Sequence, residues 1–324
     1  MNIFQASYGL DDVGKRLLTN VLSLLKIFQV MVFSQEPFSF LTYPVKPDVG
    51  DADNSARAIN ADAKKFTYAP TSGSGTQKAY SFEYEIDVAY LNDLNIGAIT
   101  NEGLKRQLQN EQLRLFLKLA SDVLYDMFNG SGSAPNLLGL KTLIKDVADA
   151  SGQTAIYGFT QDQIHSSLVR VGMTLDLNNL VQLRKFEELL TVKLAEMSGE
   201  PILVMNSFMY GRMTSIAKAL NMLGSTLTEF GKPITTFGDY KMSPVPLKYL
   251  PQDETDGEAT TLSSIYAIDY NEATGVRYAT NTGFSFKDFD VIQDKPSGKT
   301  RADFIAELKV EDMKQIVRFS RLGL

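Results

Sequence analysis

The sequence of 324 residues has no cysteine and a single histidine, His165. The absence of cysteine excludes disulfides, thiolate nucleophiles, cysteine-ligated zinc and iron–sulfur clusters, and it gives no sign of an oxidising compartment. A lone histidine excludes metal sites built from several histidines. The usual carriers of catalysis are therefore scarce, although carboxylates, serines, lysines and tyrosines remain available. We expect a protein that is not an enzyme, with no catalytic, cofactor-binding or metal-binding residues.

Basic residues are fewer than acidic residues. The chain has 32 Lys and Arg against 38 Asp and Glu, which gives a net charge of −6 at pH 7. A basic face that grips a nucleic-acid backbone is therefore not expected, and any contact with nucleic acid should be local or weak. The hydrophobic fraction of 44% is enough to fill a sizeable core, in one elaborate domain or two of ordinary size.

No uninterrupted hydrophobic run has the length of a membrane span. The most apolar stretch is Leu17 to Phe33. It is broken by Asn20, Lys26 and Gln29, and no small-residue cleavage site comes after it. Its apolar residues recur at helical spacing: Leu17, Val21, Leu24, Leu25 and Phe28. We predict an amphipathic helix, no membrane contact and a soluble, cytoplasmic product.

One stretch imitates a nucleotide-binding motif. Gly298-Lys299-Thr300 ends like a phosphate-binding loop, but Gln293 stands where that loop needs its first glycine. The residues after Thr300 alternate as a strand, whereas phosphate binding requires a helix N-terminus there. We interpret the stretch as a turn with Pro296 and Gly298.

His165 has two serines beside it, Ser166 and Ser167, on a predicted helix. A Ser-His catalytic pair would need a nucleophile elbow, and the sequence contains none. We therefore interpret His165 as a surface or helix-packing residue.

Three acidic residues, Glu83, Glu85 and Asp87, share one face of a predicted strand. Such a row would suit a hard cation, but no loop supplies the further oxygen ligands that calcium prefers. We interpret this face as solvated or directed at a partner.

Residues 36–63 predict an extended arm. Pro37, Pro44 and Pro47 block helix formation and favour extended backbone. An extended polar segment buries little of its own surface, so it needs something else to lie against.

A long hairpin is predicted next. It consists of a strand-like stretch at 64–69, a mobile Gly/Ser tip that includes Gly73 and Gly75, and a strand with apolar residues at every even position from Tyr80 to Tyr90. The two glycines lack the third glycine and the subsequent helix of a dinucleotide-binding fingerprint.

The longest helix is predicted from Asn101, its cap, to Phe128, and Asn129-Gly130 ends it. Its apolar stripe consists of Leu104, Leu108, Leu113, Phe116, Leu117, Ala120, Leu124, Met127 and Phe128. At 1.5 Å per residue the helix is about 42 Å long. The small residues after it predict a structural hinge point.

The stretch from Gly152 to Glu258 mixes helices and strands. Thr160 and Gln163 form a capping box that predicts a helix through Val171. Further predicted elements come in this order: a helix from Asp176 to Glu196, a short buried strand within 198–206, a helix from Ser207 to Leu220, a strand at 240–247 and a solvated acidic loop at 251–261.

The C-terminal part is rich in strands. Short strands separated by Asn and Gly turns are predicted at 263–270, 275–280 and 283–289, and a long half-buried strand is predicted at 300–310.

This order of elements resembles the major capsid proteins of tailed bacteriophages, whose shell fold is also used by encapsulins. The match is most specific in "SFEYEIDVAYLNDLNIGAITNEGLKRQL" (81–108), "YDMFNGSGSAPNLLGLKTLI" (125–144) and "SSIYAIDYNEATGVRYATNTGFSFKDFDVIQDKPSGKTRADFIAELKV" (263–310). The resemblance implies an α+β phage-capsid shell fold. Its parts would be an N-terminal arm (1–62), an extended hairpin loop (63–97), a peripheral domain with the spine helix (98–151), an axial domain (152–258) and peripheral return strands with the C-terminus (259–324).

The resemblance also implies a function. Copies would self-assemble into pentamers and hexamers of an icosahedral head that encloses double-stranded DNA, contacted weakly and without sequence specificity. The arm and the loop would lie on neighbouring subunits. The chain would be made in the cytoplasm of a bacterial host and end in the virion, with separate scaffolding, portal and decoration proteins as candidate further partners.

Some relatives crosslink a loop lysine to a peripheral-domain asparagine. Lys64, Lys65 and Lys78 are candidate donors, but no motif indicates an acceptor, so we predict no covalent crosslink. Two alternatives stay open: an encapsulin-like shell that holds a cargo enzyme, and a soluble hydrolase that uses carboxylates or Ser166.

Overall fold

The computed structural model describes residues 2, 12–42, 72–87, 102–197, 199–227, 233–255, 261–272, 275–291 and 297–323. Within them the chain is mixed α+β, with two sheets of four and seven strands and a third of two strands. The predicted fold class is confirmed.

The predicted N-terminal helix is present as α1 (Asp12–Leu24), and a short 3-10 turn at Lys26–Gln29 continues it. Its apolar residues lie in the largest core cluster: Leu17, Leu18, Val21, Leu22, Leu25, Ile27 and Phe28. Strands β1 (Phe33–Gln35) and β2 (Ser39–Thr42) come next. This part of the arm therefore packs on its own chain.

The predicted spine helix is confirmed as α2 (Glu102–Asn129), which ends where Asn129-Gly130 predicted. Its 28 residues correspond to a length of about 42 Å. One face is fully buried: Phe116, Leu119, Ala120, Val123, Leu124, Met127 and Phe128. Asn101, its predicted cap, lies outside the described residues. A single-turn helix, α3 (Leu140–Leu143), comes after the spine.

The predicted Gly/Ser hairpin tip is wrong. Gly73–Thr76 forms a strand, β3, which pairs antiparallel with β2. The glycines permit close approach: a Cβ on Gly73 would overlap the main chain of Tyr157, and one on Gly75 would overlap the ring of Phe40. The stretch 64–69 lies outside the described residues.

The four-stranded sheet lies against the spine in the order β1-β11-β12-β4 and contains β4 (Lys78–Asp87), β11 (Val276–Val291) and β12 (Ser297–Val310). Helix α2 contacts it through Phe116, whose ring centroid is 5.1 Å from that of Phe284, and Phe284 lies 4.4 Å from Phe304. The alternation predicted in β4 is confirmed as far as Glu85, with even positions half-buried and odd positions exposed.

The seven-stranded sheet has the order β5-β13-β10-β6-β9-β8-β7. Its strands are β5 (Leu168–Thr174), β6 (Ile202–Asn206), β7 (Leu223–Leu227), β8 (Pro233–Phe237), β9 (Tyr240–Val245), β10 (Ser263–Ile268) and β13 (Ile316–Gly323). Helices α5 (Leu180–Ala195) and α6 (Ser207–Ala219) share a second core cluster with it. Two of its strands, β10 and β13, come from the stretch 259–324.

Several element boundaries differ from the prediction. The capping box of Thr160 and Gln163 is confirmed, but helix α4 (Gln161–His165) is a single turn, and the predicted continuation to Val171 is strand β5. Val169 and Val171 favour a strand, and pairing with β13 outweighs the short helical pattern. Helix α5 begins at Leu180 rather than near Asp176, because Asn179 caps it.

In the C-terminal part, the strands predicted at 275–280 and 283–289 form one long strand, β11, with register shifts between Ala279 and Gly283 and between Lys287 and Asp290. Gly298, predicted in a turn, is part of β12.

Candidate functional site

The residues that could suggest catalysis are not arranged for it. Ser166 Oγ donates to the Gln163 carbonyl oxygen at 2.7 Å, and Ser167 Oγ donates to the Met313 carbonyl oxygen at 2.8 Å. Both hydroxyls are therefore bonded to main chain rather than to His165, which is half-buried at the end of α4. The structure brings no Ser-His pair together among these residues.

The predicted acidic face and the phosphate-loop imitation lie on paired strands. Glu83 forms ion pairs with Lys299 (3.3 Å) and Arg301 (3.8 Å) across the β4–β12 register. Thr300 is buried within β12 and leads into further strand, not into a helix. Across the described residues, no group of three or more His, Cys, Asp or Glu side chains could hold a metal ion.

The fold does build a set of three polar junctions where distant segments meet. The first, here called the spine junction, is at the end of α2. Asn129 Nδ2 donates to the Tyr249 carbonyl oxygen at 2.6 Å, and the loop 130–138 closes through Gly132 N to the Leu137 carbonyl oxygen (3.0 Å) and Gly139 N to the Gly130 carbonyl oxygen (3.0 Å). The predicted hinge point is therefore a tightly bonded loop.

Strand β4 is tied to this loop through Tyr80. Its hydroxyl donates to Asp126 Oδ2 at 2.6 Å and accepts the N–H of Leu137 at 2.9 Å. Burial and the bond to Asp126 raise the pKa of Tyr80 well above its usual value, so the phenol stays neutral and donates.

Strand β12 is tied to the same loop through Glu307. Its carboxylate Oε1 accepts the N–H groups of Leu138 and Leu308, both at 2.9 Å. Only 2% of Glu307 is exposed, and this burial raises its pKa to about 7. The spine junction thus fixes the spine helix, β4 and β12 relative to one another.

The second junction, here called the arm junction, fixes the arm to β11 and β12. Lys309 Nζ lies 2.8 Å from Glu36 Oε1, and Arg277 Nη2 lies 2.7 Å from Glu311 Oε1. Both cations are about 95% buried, and Arg277 Nε also donates to Ser34 Oγ at 3.2 Å. Two acids and two bases balance one another, which is the condition for burying charge.

The third junction, here called the sheet junction, corrects the prediction for the acidic loop 251–261. The prediction places Glu254 in solvent, but it is buried and pairs with Arg318 of β13 at 2.5 Å. Arg318 also donates to the Ile144 carbonyl oxygen (2.5 Å) and to Ser264 Oγ (2.9 Å), and Ser264 donates to Glu254. Glu254 Oε2 accepts the Arg321 N–H at 2.8 Å.

None of these three junctions is recognisable in the sequence. The partners lie far apart in sequence, for example 169 residues for the Leu138–Glu307 bond and 64 residues for Glu254–Arg318. The available local signal is Glu307 and Lys309, two charged residues between apolar neighbours in a strand, which are costly to bury unless each has partners.

Within the described parts of the chain, no helix combines the length and the apolar character needed to cross a membrane.

A helical spine beneath a four-stranded sheet, joined to a seven-stranded sheet with two covering helices, defines the class: this is the shell fold shared by phage capsid proteins and encapsulins, as the sequence resemblance predicted. No protein-family model matches the chain, and no curated protein matches it.

The fold is assigned from similarity to solved structures. The SrpI encapsulin from Synechococcus elongatus aligns over 97% of this chain and 96% of its own, with 14% identity and a TM-score of 0.55. The capsid of the native GTA particle aligns over 91% of this chain and 89% of its own, with 14% identity and a TM-score of 0.53. The capsid of the empty GTA particle aligns over the same shares, with 16% identity and a TM-score of 0.52.

Proposed function

We propose that the chain is a major capsid protein whose copies self-assemble into pentamers and hexamers of an icosahedral tailed-phage head enclosing double-stranded DNA. The observation that carries this proposal is the similarity over nearly the whole chain to shell proteins, including the GTA capsid at 91% coverage. Its role would be structural rather than catalytic. The protein would be made in the host bacterial cytoplasm and end in the virion.

The five sequence segments receive roles in this proposal. Residues 1–62 form the arm, 63–97 the extended loop, 98–151 the peripheral domain with the spine, 152–258 the axial domain and 259–324 the return strands and C-terminus. Strands β10 and β13 complete the axial sheet from the last segment. Scaffolding, portal and decoration proteins are candidate further partners.

The charge of the subunit suits a DNA container. A net charge of −6 per copy, repeated over a shell, would not hold the packaged backbone tightly. DNA could then slide during filling and release.

Electron microscopy of the overexpressed chain tests the proposal. We expect closed shells of uniform size, alone or after coexpression with the phage's other head-assembly proteins. Monomers that remain monodisperse at high concentration under both conditions would contradict it. Mature particles on a denaturing gel should run as single subunits, and a ladder of multimers would contradict our prediction that no covalent crosslink forms.

An encapsulin-like compartment is the second candidate, favoured by the 97% coverage and the TM-score of 0.55 with the SrpI encapsulin. Analysis of what purified shells contain distinguishes the phage head from the encapsulin-like compartment. Nuclease-protected double-stranded DNA would support the phage head, whereas a stoichiometric cargo protein without DNA would support the compartment.

A further inference from the structure

Glu307 is a carboxyl group buried in the spine junction without an ion pair. Its exposed fraction is 2%, and Oε1 accepts two main-chain N–H groups at 2.9 Å, from Leu138 of the loop 130–138 and from Leu308 of β12. Among the described residues, no basic side chain lies within ion-pair distance of it. Glu307 is thus an acid without an ion-pair partner at the contact between the loop 130–138 and β12.

Burial and the two hydrogen bonds act on this acid in opposite directions. Removing a carboxylate from water favours the neutral form, while N–H donors favour the charged form. Burial is the larger effect here and raises the pKa of Glu307 to about 7, against smaller lowering effects from the Leu138 and Leu308 N–H groups and from the charge of Lys78.

The other titratable and charged groups around Glu307 come from several elements of the fold. Lys78 approaches from β4 and Tyr278 from β11, while Tyr157 lies beside β3. Burial raises the pKa of Tyr80, Tyr157 and Tyr278, so these phenols stay neutral. Asp126 accepts the Tyr80 hydroxyl, and Lys309, two residues along β12, is paired with Glu36 and Glu311.

We propose that one proton on Glu307 controls how firmly the loop 130–138 is held on β12: the neutral acid keeps the loop closed, and loss of the proton favours its opening. When the loop opens, Glu307 is hydrated and returns to the usual value of 4.5. Between pH 4.5 and about pH 7 the closed form therefore binds a proton that the open form has released. The loop therefore opens more readily as pH rises through this window. Above the window the opening equilibrium no longer depends on pH.

Hydrogen exchange of the full chain, measured by mass spectrometry at pH 5 and pH 8 and corrected for the intrinsic exchange rate, tests this. We expect the opening constant reported by the Leu138 and Leu308 amides to rise by about 70-fold between these two pH values, which is part of the about 300-fold range that a pKa shift from 4.5 to about 7 gives over the whole titration. Glu307→Gln keeps an acceptor but cannot ionise, so its opening constant should be independent of pH.

Asp303→Asn is the matched control on the same strand. Asp303 is ion-paired with Arg301 at 2.7 Å and partly exposed, so this variant should keep the pH dependence of the wild type. A flat wild-type profile, or the same profile in Glu307→Gln, would overturn the proposal.

If Glu307→Gln does not fold, an NMR titration of the wild-type protein labelled with ¹³C at its glutamates tests the proposal instead. A carboxyl resonance that titrates near pH 7 supports the proposal, and titration of every glutamate near pH 4 to 5 overturns it. The proposal goes beyond the proposed shell function, because it concerns the folded chain in any assembly state. If shells form but opening of the loop does not depend on pH, only the proposal about Glu307 fails. If opening depends on pH but no shells form, only the proposed shell function fails.

Discussion

Removing one partner of the Arg318–Glu254 pair should destabilise the chain more than any surface substitution. Their side chains are 4% and 8% exposed, so neither charge can be rehydrated without local unfolding. Breaking a buried pair from one side costs about 3–5 kcal/mol, because the remaining charge stays buried without its partner. Glu254→Gln keeps the acceptor for the Arg321 N–H and should lie near the lower end of this range. Arg318→Met also orphans the Ile144 carbonyl oxygen and should lie near the upper end.

The double variant makes this reasoning testable. With both charges removed no uncompensated ion remains, so the combined cost should be at least about 1.5 kcal/mol below the sum of the single costs. The assay is urea unfolding of the unassembled chain monitored by circular dichroism, since assembly would make the midpoint concentration-dependent. Glu196→Gln in the exposed pair with Lys193 is the control and should change stability by less than about 0.5 kcal/mol. Single costs below about 1 kcal/mol, or full additivity, would refute the buried ion pair.

Three further substitutions probe the packing around the arm and the spine. Gly75→Val would overlap the Phe40 ring and should cost at least about 1–3 kcal/mol in urea unfolding, and a neutral result would contradict the close packing of β3 on β2. Phe304→Ala removes a fully buried ring from the aromatic cluster and should cost about 3–5 kcal/mol; a loss under about 1 kcal/mol would show that the cluster is loosely packed. Tyr80→Phe leaves the Leu137 N–H without its acceptor and should cost about 1–3 kcal/mol, with faster exchange of that amide, whereas unchanged exchange would place the hydrogen bond elsewhere.

Elements with a strong local pattern are predictable. Helix α2 repeats its apolar residues at helical spacing and ends at Asn129-Gly130, so both its existence and its C-terminal end can be inferred from local sequence. Strand β4 alternates strictly, and its odd positions are exposed as far as Glu85. In these segments one face is buried or half-buried and the opposite face is more exposed, and the alternation or periodicity of apolar residues reflects that directly.

Elements determined by non-local pairing are not predictable in this way. Ser72 to Thr76 looks like a flexible tip by composition, yet Gly73–Thr76 is a strand because β2 lies beside it. Val169 and Val171 come after a correct helix signal, but the pairing of β5 with β13 overrides it. In both cases the deciding partner is far away in the chain, and propensity is too weak to compete with a full ladder of hydrogen bonds.

The junctions show the same limit for charged residues. Composition places Glu254 in a solvated loop because it lies in an acidic, turn-rich stretch, and its partner Arg318 is 64 residues away. Half-burial is predicted for the strand 300–310, but from Ala306 to Val310 every residue is buried. Both faces are covered there, so Glu307 and Lys309 are buried along with their apolar neighbours and require the partners that the structure gives them.

Long, thin elements do not by themselves indicate assembly in this chain. The extended arm at 36–63 is predicted to need something else to lie against. Its described residues are held on the same chain by the pairing of β2 with β3 and by Glu36 of the arm junction, and Tyr80 of β4 donates to Asp126 of the spine. Exposed surface is present elsewhere, for example on β7, where all five residues are exposed, including Leu223 and Leu227. Exposed apolar side chains on an edge strand favour pairing with another chain. The proposal of a shell therefore depends on the full-length fold similarity rather than on instability of the parts, so a stable monomeric subunit is compatible with a shell-forming protein.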